Sequence, residues 1–261
     1  MLCKVNDLKG CTLNTPDGEM GEAQQFYFDD QHWAIRYLVA NTGSWLSGRL
    51  VLISPYALLA LHPEERHISV GLTKQQVEDS PSLASDEPVS RQFEEAYYGH
   101  YGWPMYWGGP YMWGAYPSIV HDREKWLAEK QLEHHWDPHL RSTEEVSGYH
   151  VQASDGELGH VEDFIIDDDS WAIRYLVINT GNWWAGKKVL VSPNWIEQIS
   201  WSERTVVFNV SRASIQQAPE YTEEAMVTRD YEDRLHRHYV RQGYWAEDHA
   251  AKTLTQSANN S

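Results

Sequence analysis

One feature of the sequence constrains the fold more than any other: a heptapeptide that occurs twice. Residues 33–39 and residues 171–177 both read WAIRYLV, and the two copies are 138 positions apart. At this offset each copy is preceded by DGE and is followed by NTG, a Trp, a Gly and the pattern VL-x-SP. A repeat this extensive indicates that the chain contains two copies of one structural unit.

The repeated unit has the pattern of a small β-barrel. Asp-Gly pairs at 17–18 and 155–156 favour tight turns between strands. The heptapeptide predicts a strand that begins at Trp33, with side chains on alternating faces. Five or six short strands per copy would close, or nearly close, a barrel of about 70 to 80 residues, which leaves few exposed sheet edges. We therefore expect a mainly β fold.

The repeat also divides the chain into four segments. We expect a first barrel at 1–84, a helix, aromatic linker and bridging helix at 85–141, a second barrel at 142–222, and a C-terminal helix and tail at 223–261. The opening strand of the first barrel is predicted at residues 8–13.

Amphipathic helices are predicted after both barrels. Large apolar residues spaced four apart mark them: Phe93, Tyr97 and Tyr101 in the first copy, and Tyr231, Leu235 and Tyr239 in the second. The expected i,i+4 ion pairs are Arg91–Glu95 and Arg229–Asp233.

The first helix runs into an aromatic stretch at residues 97–117 that Gly and Pro interrupt too often for a regular element. It is either a linker packed on a barrel or an exposed strip that binds a partner. A bridging helix is predicted at 118–136.

Charge and composition exclude several classes of partner. The formal net charge is −17, and it is spread along the chain without a basic region. This disfavours binding to nucleic acid or to an anionic membrane surface. The N-terminus lacks the apolar core of a signal peptide, and no apolar run is long enough to span a bilayer. Cys3 and Cys11 lack counterparts in the second copy, so we expect free thiols and a cytoplasmic protein.

No motif in the sequence predicts catalysis or a cofactor. Gly-rich phosphate loops and the common hydrolase and metalloprotease motifs are absent. The Asp-rich turn at 167–169 could be taken for a Ca²⁺ site, but its spacing favours turn capping. His134, His135 and His139 lie close together in the sequence and suggest Zn²⁺, although Pro138 interrupts their helix. His236 and His238 are a weaker metal candidate. We expect a protein without enzymatic activity, cofactor or metal.

Two charged pairs are predicted inside the barrels. Arg36 and Arg174 stand in otherwise apolar strands, and either of them could bind an anion. The favoured interpretation is that each Arg pairs with the repeated Asp seven residues earlier, Asp29 or Asp167. Together with the barrel-core candidates Trp33 and Trp171, these four residues are the predicted structural positions.

The motifs Asp-Gly-x-x-Gly, an Asp-rich turn, Trp-x-x-Arg-Tyr-Leu-Val, Asn-Thr-Gly-x-Trp and Val-Leu-x-Ser-Pro resemble those of the PRC-barrel family. That family is named for the cytoplasmic domain of the photosynthetic reaction centre H subunit. It also includes the C-terminal domain of the ribosome maturation factor. The resemblance covers residues 5–80 and 143–218 and implies two six-stranded barrels that mediate protein contacts without catalytic residues. The membrane anchor of the one relative and the N-terminal domain of the other are absent, so the chain resembles a stand-alone bacterial tandem protein.

The leading functional hypothesis is a non-catalytic interaction module with a protein partner, including a link to assemblies like the photosynthetic reaction centre. The two barrels are expected to pair within the chain or across a homo-oligomer. The candidate contact residues are Trp45, Trp183, Trp184, Trp103, Trp107 and Trp113. The first alternative is a ribosome or RNA-processing assembly factor that acts through protein contacts. The second is a metal-binding sensor built on the His cluster.

Overall fold

The computed structural model describes residues 1–81, 89, 91–106, 140–181, 187–222 and 226–246. This part of the chain forms two seven-stranded sheets with a few short helices, which confirms the mainly β fold class. It divides into two compact units. We call Leu8–Arg141 the first unit, and Met1–Asp7 together with Ser142–Ser261 the second unit.

The elements of the first half of the chain begin with a short strand and a single helical turn. In chain order they are β1 (Leu2–Lys4), α1 (Val5–Leu8), β2 (Thr12–Thr15), β3 (Gly18–Asp29), β4 (Ala34–Asn41), β5 (Leu50–Ile53), β6 (Leu58–His62), β7 (His67–Val70), α2 (Lys74–Glu78) and α3 (Arg91–Tyr101).

The second half repeats this order. Its elements are β8 (Leu140–Ser142), α4 (Thr143–Val146), β9 (His150–Ala153), β10 (Gly156–Asp167), β11 (Ile173–Asn179), β12 (Lys188–Val191), β13 (Ile196–Ser200), β14 (Thr205–Phe208), α5 (Arg212–Gln217) and α6 (Arg229–His238). Their first residues lie 138 or 139 positions after those of the first half, so the sequence repeat is also a structural repeat.

The two sheets have the same topology. In the first unit the strand order is β5-β4-β3-β2-β7-β6, with β8 also paired to β3. In the second unit it is β12-β11-β10-β9-β14-β13, with β1 also paired to β10. The pairs β2–β7 and β9–β14 are parallel, and each joins the two hairpin groups of its sheet.

The longest strand of each sheet is bent so that it pairs along both of its edges. Register shifts interrupt β3 between Ala23 and Gln25, and β10 at the corresponding place. Such bulges bend a strand and increase its twist. Gly21 has a positive φ, and a Cβ there would lie 2.0 Å from the backbone oxygen of Asn41. The second glycine of the Asp-Gly-x-x-Gly motif is therefore required by the close approach of two strands.

The structure corrects the prediction for Trp33 and Trp171. Both have a positive φ and lie in the turn before the strand, where the amide of Trp33 donates to the carbonyl of Asp29 at 2.8 Å. Trp33 is half-buried and stacks on Phe28, whereas Trp171 is buried. Because the Trp belongs to the turn in each copy, β4 begins one residue after Trp33 and β11 begins two residues after Trp171. The predicted alternation also fails, because residues 34–40 are all buried.

Three further boundaries differ from the sequence prediction. The predicted opening strand at 8–13 is replaced by α1 and by β2, which starts at Thr12. The segment after Ser54 makes a short 3-10 turn, Pro55–Ala57, and then an unpredicted strand, β6. Short helices α2 and α5 follow the last strands, and Thr73 caps α2 with a capping box.

The expected ion pair Arg229–Asp233 is also wrong in its partner. Arg229 Nη1 lies 3.0 Å from Oε2 of the buried Glu232, one residue before the expected partner. A charged carboxylate that is buried without a cation costs more free energy than an exposed one, which favours pairing of Arg229 with Glu232. The side chain of Arg91, and the bridging helix at 118–136, lie outside the described residues.

The core of the first unit extends from the sheet to the helix that follows it. Tyr97 and Tyr98 on α3 are buried against Tyr37 and Val39 of β4. The tail after the helix adds the buried Tyr106 to the same cluster. At least the beginning of the aromatic stretch is therefore packed on its own unit. Within the described part of the chain, no helix is long and apolar enough to cross a membrane.

Gly21→Ala and Gly159→Ala should each lower the free energy of unfolding by more than about 2 kcal/mol, because each added methyl overlaps a backbone carbonyl at a left-handed residue. Denaturant unfolding measures the change. Gly43→Ala and Gly181→Ala are the matched controls, since they have a positive φ but open space around them. Their cost should be about 1 kcal/mol, and equal losses at all four sites would contradict the steric argument.

Candidate functional site

An Arg–Asp ion pair, buried in the first unit and partly buried in the second, lies at the start of the heptapeptide strand. Arg36 Nη2 is 3.1 Å from Asp29 Oδ2, and His32 Nδ1 is 3.0 Å from the same oxygen. Burial alone would raise the pKa of Asp29, but the hydrogen bond with His32 and the charge of Arg36 hold it well below its usual range. Asp29 and Arg36 are both buried. The pair therefore stays ionised inside the unit.

The second unit repeats this pair with a different neighbour. Arg174 Nη2 donates to Asp167 Oδ2 at 2.8 Å, and the Ser170 hydroxyl donates to the same oxygen at 2.8 Å. Burial opposes ionisation of Asp167, but Arg174 and Ser170 together lower its pKa. Asp167 carboxylate oxygens also lie within 4.8 Å of those of Asp168 and Asp169. Since Asp167 is bound to Arg174, this turn is explained without a metal ion.

A tyrosine of the tail covers each arginine. The Arg36 guanidinium lies 4.1 Å from the ring centroid of Tyr106, and that of Arg174 lies 3.8 Å from the ring of Tyr244. A guanidinium over an aromatic face gains cation–π energy, and more so when both groups are desolvated. These contacts fix the tail after the helix over the strand.

A glutamate of the helix joins this tail tyrosine to a tyrosine of the strand. In the first unit Glu94 Oε1 accepts from Tyr37 at 3.0 Å and from Tyr106 at 2.7 Å. In the second unit Glu232 Oε1 accepts from Tyr175 and from Tyr244, both at 2.8 Å. Burial raises the pKa of Glu232, while these hydroxyls and nearby arginines oppose the rise.

We call each set of five residues a repeat network. It comprises Asp29, Arg36, Tyr106, Glu94 and Tyr37 in the first unit, and Asp167, Arg174, Tyr244, Glu232 and Tyr175 in the second. Every member has its counterpart 138 positions away. The interactions connect turn, strand, helix and tail within one unit, and the polar groups that they join are directed at one another. This arrangement favours a structural role over a catalytic one.

The network of the second unit also contacts a histidine of the helix. His236 is buried, with Nε2 2.9 Å from the Tyr175 hydroxyl and Nδ1 3.1 Å from the Gln242 carbonyl oxygen. Burial lowers the pKa of His236. The first unit has Tyr98 at the corresponding position. His236, which the sequence offered as a weak metal candidate, is therefore bonded to the network.

The two units differ in what they expose beside the 3-10 turn. In the first unit Tyr56 is 39% exposed and its ring lies 5.7 Å from that of the half-buried Trp103. Trp103 in turn stacks on Tyr101 at 4.5 Å. We call Tyr56 and Trp103 the aromatic face. Its counterparts in the second unit, Asn194 and Arg241, are exposed polar residues.

The remaining sequence candidates are distributed as follows. Trp45 is half-buried, and its indole N–H donates to the carbonyl of Met20, so it is bound to its own unit. Trp103 belongs to the aromatic face. The residues Trp107, Trp113, Trp183, Trp184, His134, His135 and His139 lie outside the described part of the chain. The side chains that sequence reasoning missed, Glu94 and Glu232, align at the repeat offset, but nothing in the sequence shows that tyrosines surround them.

The comparisons with known proteins identify one domain. Residues 141–214 match the family model described as the PRC-barrel domain. Apart from Arg141, the matched residues lie in the second unit, and they support one PRC-barrel domain at 141–214. No curated protein matches the chain.

Tyr175→Phe should lower the stability of the protein by about 1–3 kcal/mol, because it leaves the buried Glu232 with one hydroxyl fewer. Tyr37→Phe should have a similar effect through Glu94. The control is Tyr101→Phe, whose hydroxyl is solvent-exposed and 3.4 Å from the Gln76 carbonyl oxygen. Urea unfolding measures all three. A loss at Tyr101 as large as that at Tyr175 would argue against the network.

The buried Asp163 should make the stability of the protein depend on pH. Burial raises its pKa to about 7, although the amides of Phe164 and Asn6 donate to it. Between about pH 4 and 7 the folded state then binds a proton that the unfolded state lacks. As pH rises through this range, wild-type stability relative to Asp163→Asn should fall by up to about 1.4 kcal/mol per pH unit, and it should become constant above pH 7.

Unfolding midpoints of the two proteins across pH 4–9 measure this difference. Glu157→Gln, an exposed position on the same strand, is the control and should show no such slope. A difference between wild type and Asp163→Asn that grew with pH would contradict the direction of the shift.

Proposed function

We propose that the protein is a non-catalytic protein-interaction module and that the aromatic face of the first unit contacts its partner. The PRC-barrel domain suggests a non-catalytic module in general. We also propose that the first unit is a second PRC-barrel, since the 138-residue offset carries the matched range 141–214 onto residues 3–76. The partner that we propose is a protein, because the charge of −17 disfavours nucleic acid.

The observation that carries this proposal is the difference between the two units at one equivalent place. The five members of the repeat network, by contrast, are the same residue types in both units. Tyr56 and Trp103 lie on the surface where the second unit has Asn194 and Arg241. Exposed Tyr and Trp are the residues that contribute most to interface energies, and aromatic side chains on a surface carry a cost in solubility unless they bind.

The surroundings of the aromatic face suit a binding surface. Trp103 rests on Tyr101, and Tyr56 also contacts the buried Tyr98 at 6.4 Å between ring centroids. The exposed ring of Tyr56 and the half-buried ring of Trp103 are therefore held in place by the aromatic side chains that they contact. A surface that is ordered before binding loses less conformational entropy on association.

A role in an assembly related to the photosynthetic reaction centre is the more specific form of this proposal, and it is supported only by the resemblance of the motifs. The identity of the captured partners decides it. A second copy of this chain is another outcome, which native mass spectrometry of the purified protein distinguishes by mass.

The test is affinity purification of the full-length chain from its native cells, with Tyr56→Asn/Trp103→Arg compared to wild type. These substitutions install the residues of the second unit. Recovery of the partner should fall by on the order of tenfold or more. The matched control, Asn194→Ala/Arg241→Ala, should leave recovery unchanged. Circular dichroism and thermal unfolding verify the fold of each variant. If the folded variant Tyr56→Asn/Trp103→Arg recovers as much partner as wild type, the proposal is wrong.

A further inference from the structure

The first strand of the chain completes a sheet that belongs to the other half of the sequence. β1 precedes the first unit in the chain, yet it pairs with β10 of the second unit. The antiparallel register places Leu2 opposite Asp167, Cys3 opposite Ile166 and Lys4 opposite Ile165.

The corresponding strand of the second half does the same in the opposite direction. β8 opens the second half of the chain, yet it pairs with β3 of the first unit. β8 begins 138 positions after β1, so the two are equivalent strands of the repeat. We call them the exchanged strands.

The bent long strands explain why each sheet needs an exchanged strand. β9 pairs only with residues 156–160 of β10, and β2 pairs only with residues 18–22 of β3. Beyond the bulge, this edge of β10 is covered by β1. Ile165 and Ile166 are buried, and backbone groups left unpaired at buried positions carry a large energetic cost.

Further polar contacts, from side chains and from the backbone, hold the exchanged strands in place. Arg141 Nε of β8 lies 3.0 Å from Asp30 Oδ2 in the first unit. In the second unit the equivalent residue, Asp168, donates its amide to the Met1 carbonyl at 3.0 Å. The amide of Asn6 donates to Asp163 Oδ1 at 3.2 Å, and Cys3 and Val5 are buried.

We infer that the two halves of the chain exchange their first strands reciprocally, and that the free edge of β10 is a strand-binding site for residues 1–7. Each unit is then incomplete without a strand that the other half of the chain carries. The acidic turns, at Asp30 and Asp168, contact the exchanged strands and form part of these binding sites. This inference does not depend on the proposed function.

A disulfide tests the exchange in the full-length chain. The variant Cys11→Ala/Ile166→Cys keeps Cys3 and places a second thiol at its cross-strand partner, so that these two are the only cysteines. Oxidation should give a cross-linked product at the mass of one chain on a non-reducing gel. The control Cys11→Ala/Ile165→Cys moves the thiol to the opposite face of β10 and should not cross-link.

Three outcomes would overturn the inference: no cross-link at residue 166, equal cross-linking at 165 and 166, or a product at the mass of two chains. The last would mean that the strand pairs with a second copy of the chain instead of its own.

Hydrogen exchange gives a second readout that does not need the disulfide to form. Cys3→Asp places a charge in the buried part of β1 and should speed amide exchange in residues 163–167 by on the order of tenfold. Exchange in residues 25–29 of the first unit should stay as in wild type. Leu140→Asp, which places a charge in β8, should have the reverse pattern. Faster exchange in the unit that follows the mutated strand in sequence, with the other unit unchanged, would refute the reciprocal exchange.

Discussion

The bend in the long strand is the constraint on which the rest of each unit depends. A bulge after Ala23 and the close approach of Gly21 to Asn41 let β3 turn away from β2 while it stays paired to β4. One strand therefore supplies an edge to β2, an edge to the exchanged strand β8 and a full ladder to β4. A side chain at the glycine would separate the strands at the bend, so the sheet topology follows from one small residue and one extra residue.

The sequence was most informative where the two copies agree. The offset of 138 predicted the tandem organisation and the mainly β class, and it placed Asp29 beside Arg36 as partners, which lie 3.1 Å apart. It could not predict strand β6, since residues 55–61 fit a helical turn as well as a strand. Nor could periodicity show that Trp33 lies in the turn before the strand. Its positive φ is a property of the backbone that the alternation of apolar residues does not reveal. The network around Glu94 depends on contacts between segments that are distant in the sequence, and such contacts cannot be predicted from a local pattern of residues.

Differences between copies carry a different kind of information. At buried positions the second unit has Asp163 and His236 where the first has Gln25 and Tyr98. The first change adds a carboxyl group to the second unit, beside the exchanged strand, and the second replaces a phenol with an imidazole. On the surface, the rings of Tyr56 and Trp103 have polar counterparts. The two units thus share their internal framework and differ in charge and in exposed aromatic area.

The exchanged strands also determine how the chain can reach this fold. A strand at Leu2–Lys4 that pairs with Ile165 and its neighbours must wait until more than half of the chain is available. The first unit likewise stays incomplete until β8 follows it. Contacts over such separations are slow to form, because the closure of a long loop precedes any gain from pairing. The early hairpins β2–β3 and β3–β4 can form locally, so each unit would first acquire the bent strand and afterwards receive its seventh strand. The two sheets share no strand, but each takes its seventh strand from the other half of the chain.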